Sequence, residues 1–439
     1  MKVHLVSLGC ARNQVDTETM SGSLLASGHT ITPEAEQAEV VVVNTCSFIE
    51  SAVDESIDTI LALSQLKETG VCRRIVVAGC LPERFQEDIA ASLPEVDLFL
   101  GTGAFDQIVR AVEDAQPKEK CLLPDPDSIV FSQADNNRIL SHAHMAYLKI
   151  AEGCDRNCTY CIIPRLRGRQ KSRPMAQIVH EARSLIEAGV KELVLVAQDA
   201  TAYGTDLGLE HGLADLLKSL ADLSSSTWLR VLYGHPESID DETIHVMGSI
   251  PNICAYFDIP VQHASNQVLK RMGRHYTKED LYRLFHSIRK KVPGASLRTT
   301  LIVGFPGETD AEFETLLSFV EDIRFDHLGV FTYSDSDDLP SHHLEGHVSA
   351  EKAGERYDAV MSRQLAISET NNQRFVDATL PVLIEEASGE NLYTGRTVFQ
   401  APEVDGLTFV HGENLQPGSF VRVRIIDAYE YDLVGEIKK

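Results

Sequence analysis

The chain has 439 residues, of which 43% are hydrophobic and 24% are charged, and its formal net charge is -25 at pH 7. This composition is that of a globular protein with a normal core, and it excludes a disordered or fibrous chain. The acidity argues against a protein whose main task is to coat nucleic acid, because phosphate neutralisation needs clustered Lys and Arg. The apolar runs are far shorter than the ~20 residues of a membrane span, and the first residues lack the pattern of an export signal. We therefore expect a cytoplasmic protein with no membrane partner.

The first 135 residues alternate between apolar strands and helical segments, which is typical of a parallel sheet covered by helices. Three of the predicted strands, at 3–8, 40–43 and 75–78, are each followed within three residues by a cysteine. These cysteines are Cys10, Cys46 and Cys80. Ligands of open parallel sheets bind at the carboxyl ends of the strands. The three cysteines are therefore expected to point into one crevice.

A second alternating region extends from residue 145 to about 331 and has no strong dinucleotide-binding motif. Its six strand–helix units in a row predict an open or partial parallel barrel of the (β/α)6 kind. The predicted strands are 146–150, 192–196, 228–232, 255–259, 297–303 and 327–332. A long helix over 351–374 is expected to return across this region.

The last 65 or so residues consist of short β-rich runs broken by Gly and Asn, the pattern of a small antiparallel barrel. Strands are predicted at 381–385, 392–398, 407–410, 420–428 and 433–437. A segment with several Pro and Asp residues, 114–137, is predicted to be a linker. The expected fold class is α/β. Three domains are expected, at 1–135, 136–371 and 372–439.

Nine cysteines, an odd number in a long chain, argue against a disulfide framework and favour reduced thiols or metal ligands. Three of them, Cys154, Cys158 and Cys161, have the spacing Cys-x₃-Cys-x₂-Cys. Three thiolates can hold a 4Fe–4S cluster with one iron free of protein ligands, and S-adenosylmethionine (SAM) can chelate that iron. An electron from the cluster then cleaves the sulfonium to a deoxyadenosyl radical. A zinc site or a ferredoxin are the alternatives, but both usually need a fourth protein ligand nearby.

The cysteines after the N-terminal strands also number three, so Cys10, Cys46 and Cys80 are predicted to hold a second cluster with an open iron. A lone cysteine at a strand end is more often a small buried hydrophobe, but three at the same topological position favour a site. The other thiols, Cys72, Cys121 and Cys254, follow no such pattern and are predicted to be plain buried or surface cysteines. The loop histidines His342, His343 and His347 are predicted to be part of a polar loop, with a weak metal cluster as the alternative.

Several motifs together resemble the methylthiotransferase family of radical SAM enzymes. They are SLGCARN at 7–13, NTC at 44–46, AGC at 78–80, EGC at 152–154 and CIIP at 161–164. The resemblance covers essentially the whole chain. It implies an N-terminal methylthiotransferase domain, a radical SAM core and a C-terminal TRAM barrel.

Further stretches are similar to the branch of this family that modifies an aspartate of small-subunit ribosomal protein twelve, rather than to the branch that modifies tRNA adenosine. These stretches are QDATAYG at 198–204, DIPVQHAS at 258–265 and APEVDG at 401–406. The sequence departs from the family where Ala11 and Arg12 replace the usual Pro-Lys, where Ser47 replaces Gly, and over 334–347. None of these changes removes a predicted cluster ligand.

The resemblance implies two 4Fe–4S clusters and a β-methylthio-aspartate product. It also implies two uses of SAM, one as methyl donor to cluster-bound sulfur and one as the source of the radical. Tyr160, just before Cys161, is expected to pack beside the cluster and the adenine. Candidate SAM contacts are Gln198, Gln262 and Arg298, interpreted as ending barrel strands, and the glycines Gly304 and Gly307 of the GFPGE turn. No protein side chain is predicted to be catalytic, because the cofactors carry the chemistry. The expected partners are ribosomal protein twelve and a one-electron reductant such as flavodoxin, with the chain a monomer.

Charge supports the protein substrate independently. Residues 372–439 contain six Lys/Arg and eleven Asp/Glu, a balance of -5. A barrel that binds RNA should be basic, whereas an acidic one favours a basic partner such as a ribosomal protein. The alternative is that these charges only keep the domain soluble. The alternatives are a tRNA methylthiotransferase, an iron–sulfur electron carrier and a zinc-binding structural protein. The basic stretch Arg165, Arg167, Arg169, Lys171 and Arg173 is expected either to hold carboxylates of SAM or substrate or to pair with acidic neighbours.

Overall fold

The structure is a computed structural model that describes residues 1–114, 118–128 and 138–437. Half of the predicted linker, 115–117 and 129–137, lies outside these residues. Its described part contains a short strand, Cys121–Leu122, which the prediction missed.

The N-terminal part is a six-stranded parallel sheet in the order β2-β1-β3-β4-β5-β6. Its strands are β1 (Lys2–Ser7), β2 (Thr30–Ile31), β3 (Val40–Thr45), β4 (Arg74–Gly79), β5 (Leu98–Leu100) and β6 (Cys121–Leu122). Its helices are α1 (Ala11–Ala26), α2 (Glu50–Ser64), α3 (Leu66–Thr69), α4 (Cys80–Phe85), α5 (Asp88–Ser92) and α6 (Ile108–Glu113). Every residue of β3 is buried, which is why this central strand is a continuous valine run rather than an alternating one.

The second part contains the six predicted strands, arranged as two three-stranded parallel sheets. The strands are β7 (Met145–Lys149), β10 (Glu192–Val196), β11 (Trp228–Val231), β12 (Tyr256–Asp258), β13 (Ser296–Val303) and β14 (His327–Thr332), with a small ladder of β8 (Ala151–Glu152) and β9 (Lys171–Ser172). An isolated bridge between Leu229 of β11 and Ile253, just before β12, and a hydrogen bond from Gly234 N to Asp258 O connect the sheets β11-β10-β7 and β12-β13-β14. The partial parallel barrel is thereby confirmed.

Helices cover the outside of this partial barrel and bury one large core with its strands. They are α7 (Ile163–Arg167), α8 (Met175–Glu187), α9 (Gly212–Ala221), α10 (Asp241–Ser249), α11 (Asn266–Arg271), α12 (Lys278–Lys291), α13 (Asp310–Ile323) and α14 (Ala350–Gln373). Local sequence fixes their ends. In α12, Thr277 and Asp280 form a capping box, and three basic residues occupy the last turn, where they complement the helix dipole.

The C-terminal part is a closed five-stranded barrel in the order β15-β16-β17-β19-β18. Its strands are β15 (Thr379–Gly389), β16 (Leu392–Arg396), β17 (Thr408–His411), β18 (Phe420–Ala428) and β19 (Leu433–Ile437). The prediction of an antiparallel barrel is wrong at one pair, because β17 and β19 run parallel. β19 follows β18 after a turn and runs antiparallel to it. Because β19 lies between β18 and β17 in the barrel, this direction makes it parallel to β17.

A buried ion triad fixes the C-terminal barrel to the second part. Glu192, at the start of β10, accepts from Arg230 Nε at 2.7 Å and from Arg396 Nη2 at 2.5 Å. All three side chains are at most 1% exposed. The Arg230 guanidinium also lies 4.8 Å from the centre of the Tyr256 ring. Because each charge is desolvated, each requires its partners.

No helix in the described ranges combines the length and the apolar character that crossing a membrane would require.

Replacing Glu192 by Gln removes the carboxylate that pairs with the buried guanidinium of Arg230 and leaves Arg396 with only Glu385. We expect the free energy of unfolding to fall by about 3–5 kcal/mol, because the charges left behind remain desolvated. Urea unfolding followed by circular dichroism measures this loss. Asp377→Asn, which breaks the exposed pair between Arg424 and Asp377, is the control and should change little. An equally small effect of Glu192→Gln would contradict the role of the triad.

Candidate functional site

Three cysteines lie at the carboxyl ends of three adjacent parallel strands. Cys10 follows β1, Cys46 follows β3 and Cys80 follows β4, and β1, β3 and β4 are neighbours in the sheet. Gly9 has a φ of +92°, and a Cβ placed on it would lie 2.7 Å from Cys46 Cβ. The loop that carries Cys10 therefore packs directly on Cys46, and only glycine allows that approach.

Buried arginines set the electrostatics of this edge. Burial opposes ionisation of Cys10, yet the guanidinium groups of Arg12 and then Arg167 lower its pKa below the usual value. Cys10 also caps the N-terminus of α1, where the helix dipole favours an anion. Burial instead raises the pKa of Cys46, and it raises that of Cys80 to about 11. A positive charge from a ligated metal would offset that burial, as it does for coordinating thiols generally.

The second cysteine triplet lies on a loop that is closed at its base. The short ladder of β8 and β9 joins the two ends of the loop. Gly153 has a φ of +78°, and a Cβ there would meet Arg169 O at 2.1 Å. Inside the loop, Arg156 N donates to Cys154 Sγ at 3.4 Å and Cys161 N donates to Cys158 O at 3.1 Å. The backbone thus holds the three thiols on one compact turn.

Tyr160 is locked in place beside this triplet. Its hydroxyl accepts from Arg274 Nη2 at 2.6 Å, and its ring meets Phe305 edge-on at 6.1 Å between centroids. Burial raises the pKa of Tyr160 well above its usual value, so the phenol stays protonated. The aromatic ring is therefore a fixed wall of the site.

The two cysteine loops are in contact. Cys80 packs in one buried cluster with Ile162, Leu166 and Leu339, and Ile162 directly follows Cys161. A cavity of about 190 Å³ lies at this junction. Residues from both sides line it: Phe48, Ile49, Glu50 and Arg84 from the N-terminal sheet, and Tyr160, Gln262, Thr300, Ile302, Phe331, Thr332, Tyr333, Ser334, Ser336 and Leu339 from the partial barrel.

Arg84 connects the two sides of the cavity through hydrogen bonds. It donates to both carboxylate oxygens of Asp338, at 2.8 and 3.0 Å, and to Ser47 O at 2.6 Å. Ser47 follows Cys46, whereas Asp338 belongs to the loop after β14. Such a forked contact fixes orientation as well as distance.

The predicted SAM contacts separate into two groups in the structure. Tyr160 and Gln262 line the cavity. Gln198 donates to Glu152, and its Oε1 has no hydrogen-bond partner within the described ranges. Arg298 lies third in β13, so its predicted position at a strand end is wrong; it pairs with Asp258 at 2.9 Å because a buried carboxylate lies opposite it.

The predicted glycines Gly304 and Gly307 lie in a tight turn held by Glu308. Glu308 accepts from Gly304 N, and Gly307 N donates to Gly346 O. A Cβ on Gly304 would meet Ala353 of α14 at 2.5 Å. The turn therefore packs against the long returning helix, and neither glycine lines the cavity.

The basic stretch after the cysteine loop pairs with acidic neighbours. Lys171 lies 4.0 Å from Asp127, and Arg173 lies 2.7 Å from Glu181. Further pairs join Arg165 to Asp338 and Arg167 to Asp16 and Glu152. Sequence reasoning left open which of two roles this stretch has, and it did not single out Arg84 or Phe48. Their position just after Cys80 and Cys46 is the signal that points to them.

The other cysteines and the loop histidines form no comparable group. Cys72 and Cys254 are buried and Cys121 is partly buried, all as free thiols. His342 pairs with Asp335 on its own loop. Across the part of the chain that the structure describes, no three or more His, Cys, Asp or Glu side chains are gathered to hold one metal ion. A cubane cluster asks for a different arrangement, because each thiolate binds a separate iron.

Comparison with known proteins identifies relatives along the whole chain. The uncharacterized protein family UPF0004 matches residues 2–101, the radical SAM superfamily 148–320 and the TRAM domain 376–437. The ribosomal protein uS12 methylthiotransferase RimO of Desulfosudis oleivorans is 55% identical over 99% of this chain and 100% of its own length. That of Clostridioides difficile is 46% identical over 100% of this chain and 99% of its own.

Solved structures share the fold at low identity. The radical SAM methyltransferase TsrM from Kitasatospora setae superposes with a TM-score of 0.61 at 14% identity, covering 78% of this chain and 77% of that one. The cobalamin-dependent SAM radical enzyme OxsB gives a TM-score of 0.51 at 15% identity, covering 83% of this chain and 56% of that one.

The partial barrel and its cysteine loop thus define a radical SAM enzyme with an appended TRAM barrel. More narrowly, the chain belongs to the RimO family of radical SAM methylthiotransferases, as its full-length similarity to those proteins shows. Membership implies SAM and iron–sulfur clusters as cofactors.

His263, in the turn after β12, gives a pH-dependent prediction. Its ring is fully buried, its Nδ1 accepts from Ser265 N, and burial, followed by Arg356, lowers its pKa from 6.5 to about 3. The unfolded chain binds a proton below pH 6.5 that the folded ring excludes. We expect the contribution of His263 to lower the free energy of unfolding as pH drops from 6.5 toward 3, by up to about 1.4 kcal/mol for each pH unit.

Urea unfolding across this pH range tests the point. His263→Gln should flatten the acid limb of the profile, whereas His286→Gln, at an exposed position, should leave it as in the unaltered protein. Parallel profiles for all three proteins would show that His263 is not responsible.

Proposed function

We propose that this enzyme attaches a methylthio group to the β-carbon of an aspartate in ribosomal protein uS12. The names of the relatives support uS12 as the substrate. The observation that carries the proposal is the shared cavity, because Phe48 lies two residues after Cys46 while Tyr160 directly precedes Cys161. The substrate carbon would give a hydrogen atom to the radical formed at one cluster and receive sulfur from the other. Both cysteine loops would therefore have to face the same cavity.

The donor sets fit the proposed cofactors. Cys154, Cys158 and Cys161 would hold one 4Fe–4S cluster and SAM, and Cys10, Cys46 and Cys80 would hold the second. When bound, these groups supply a hydrogen-abstracting alkyl radical, a methyl group and sulfur. All six cysteines are free thiols, and three of the four iron positions of each cluster would be filled by protein.

The protein's own contribution is position and shielding. Arg84 holds the loop after β14 against Ser47, and Arg274 holds Tyr160. These fixed contacts keep the two cysteine loops at one separation. Reactions between held groups gain several orders of magnitude from such positioning and lose it with small displacements.

We also propose that the chain divides into domains at 1–135, 136–371 and 372–439. The three matched families fall within these limits. Separate buried clusters under the N-terminal sheet, in the partial barrel and in the C-terminal barrel support the division, while a further cluster packs the three parts together.

The charge of the C-terminal barrel supports a basic protein substrate rather than tRNA. Of its few basic residues, Arg396 is buried against Glu192, and Arg374 pairs with Asp326. Because Asp405 is also buried, beside Arg298, the outer face keeps the acidic excess that the sequence count gives. Such a face attracts a basic partner and repels phosphates. We further propose that the protein is a cytoplasmic monomer and that a one-electron donor such as flavodoxin reduces it.

Single cysteine variants separate the two proposed clusters. Cys154→Ala should abolish release of deoxyadenosine from SAM, because the first cluster loses a ligand. Cys46→Ala should retain part of that release but form no methylthio product. Chromatography of deoxyadenosine and mass spectrometry of the substrate measure both, and Cys72→Ala, at a buried thiol outside both triplets, is the matched control. Full product formation by Cys46→Ala would remove the second cluster from the proposal.

Substrate choice is tested by giving the reconstituted enzyme uS12 and tRNA side by side under anaerobic reduction with SAM. We expect a methylthio mass increase on an aspartate-containing peptide of uS12 and none on tRNA nucleosides. Modified adenosine with unmodified uS12 would establish the tRNA activity instead. Absence of SAM cleavage with either substrate would favour a non-catalytic iron–sulfur protein.

A further inference from the structure

Arg167 connects the two cysteine loops. It is the last residue of α7, the short helix that begins two residues after Cys161, and its side chain is 3% exposed. The helix directs it away from its own cysteine triplet and into the other one. There Arg167 Nη2 donates to Cys80 Sγ at 3.6 Å.

Two buried carboxylates hold the guanidinium in this position. Arg167 Nη1 lies 2.8 Å from Asp16 and 3.5 Å from Glu152, and Nη2 donates to Asn13 Oδ1 at 2.5 Å. Lys149 shares both carboxylates, at 2.5 Å from Asp16 and 2.8 Å from Glu152. The two cations thus have the same acidic partners, but within the described part of the chain Lys149 bonds to no cysteine.

We propose that Arg167 is a positioning residue that donates a charged hydrogen bond to the Cys80 sulfur and raises the reduction potential of the cluster held by Cys10, Cys46 and Cys80. This inference rests on the proposed function, which places a cluster on these cysteines. It goes further by assigning a specific residue of the radical SAM core to the electronic control of the N-terminal site.

The direction of the effect follows from charge. Reduction adds one electron to the cluster, and a fixed cation at hydrogen-bond distance from a ligand sulfur stabilises the more negative state. An arginine is always charged, and burial weakens the screening of its field. Hydrogen bonds to ligand atoms from surrounding residues are a general means of tuning a metal centre.

The alternative is a purely structural role, in which Arg167 only neutralises Asp16 and Glu152. Lys149 provides the matched control, because Lys149→Met disturbs the same two carboxylates and leaves the cysteine contact intact. A structural role predicts the same outcome for Arg167→Met and Lys149→Met. A role at the cluster predicts a difference between them.

The experiment uses the full chain with Cys154, Cys158 and Cys161 replaced by Ala, so that only the N-terminal cluster remains. Iron and sulfide are quantified first. The cluster is then titrated with dithionite as the electron donor, and the reduced fraction is followed by electron paramagnetic resonance. At a fixed solution potential, we expect Arg167→Met to raise the ratio of oxidised to reduced cluster about tenfold, equivalent to ~59 mV for a one-electron couple. Lys149→Met should stay near the parent ratio.

Equal ratios in Arg167→Met and Lys149→Met, with iron bound in both, would overturn the inference. A parent triple variant without iron or sulfide would instead contradict the second cluster itself, so the two failures are distinguishable. If Arg167→Met does not retain iron, Arg167→Lys is titrated in its place. It keeps the charge but lacks the forked donor, so a smaller shift in the same direction is expected, and an unchanged ratio overturns the inference.

Discussion

Two buried carboxylates between two cations determine how the N-terminal sheet meets the radical SAM core. Asp16 comes from the helix after Cys10, and Glu152 precedes Cys154 by two residues; Arg167 and Lys149 bridge them. Each charge is costly to remove from water, so none of the four is stable in the interior without the others. The separation of the two cysteine triplets therefore depends on this ion network together with the contacts of Arg84. The shared cavity, the contacts of Arg84 and the packing of Cys80 on Ile162 all require that the N-terminal sheet lies against the radical SAM core.

Much of the fold could be predicted because apolar patterns are local. The strands at 192–196, 327–332, 420–428 and 433–437 occur with the predicted bounds, since each is an apolar or alternating run bounded by turns. The placement of Cys10, Cys46 and Cys80 at one edge followed from a general rule about parallel strands. By contrast, two-residue strands such as Thr30–Ile31 are defined only by their neighbours in the sheet, and the parallel pairing of β17 with β19 is a property of barrel closure.

The candidate cysteine ligands of the site could be picked out from the sequence. The residues that hold those cysteines in place could be predicted much less well. Arg167 was visible within a basic stretch, but its partner Cys80 is 87 residues away in sequence, and only the tertiary fold brings them together. Arg298 shows the same limit. It was predicted to contact SAM, and only the fold reveals that Asp258 lies opposite it as a buried carboxylate partner. Periodicity indicates which residues are buried, but it does not indicate what a buried charge will meet.

The parallel pair that closes the C-terminal barrel has a consequence for recognition. Its five strands form a complete ring, so no strand has a row of backbone donors and acceptors open along its full length. A partner cannot extend this sheet by adding a strand of its own, which is a common way of gripping an extended peptide. Any protein held here must be held through side chains and turns. Such selectivity depends on surface chemistry and can change by point substitution while the ring itself stays intact.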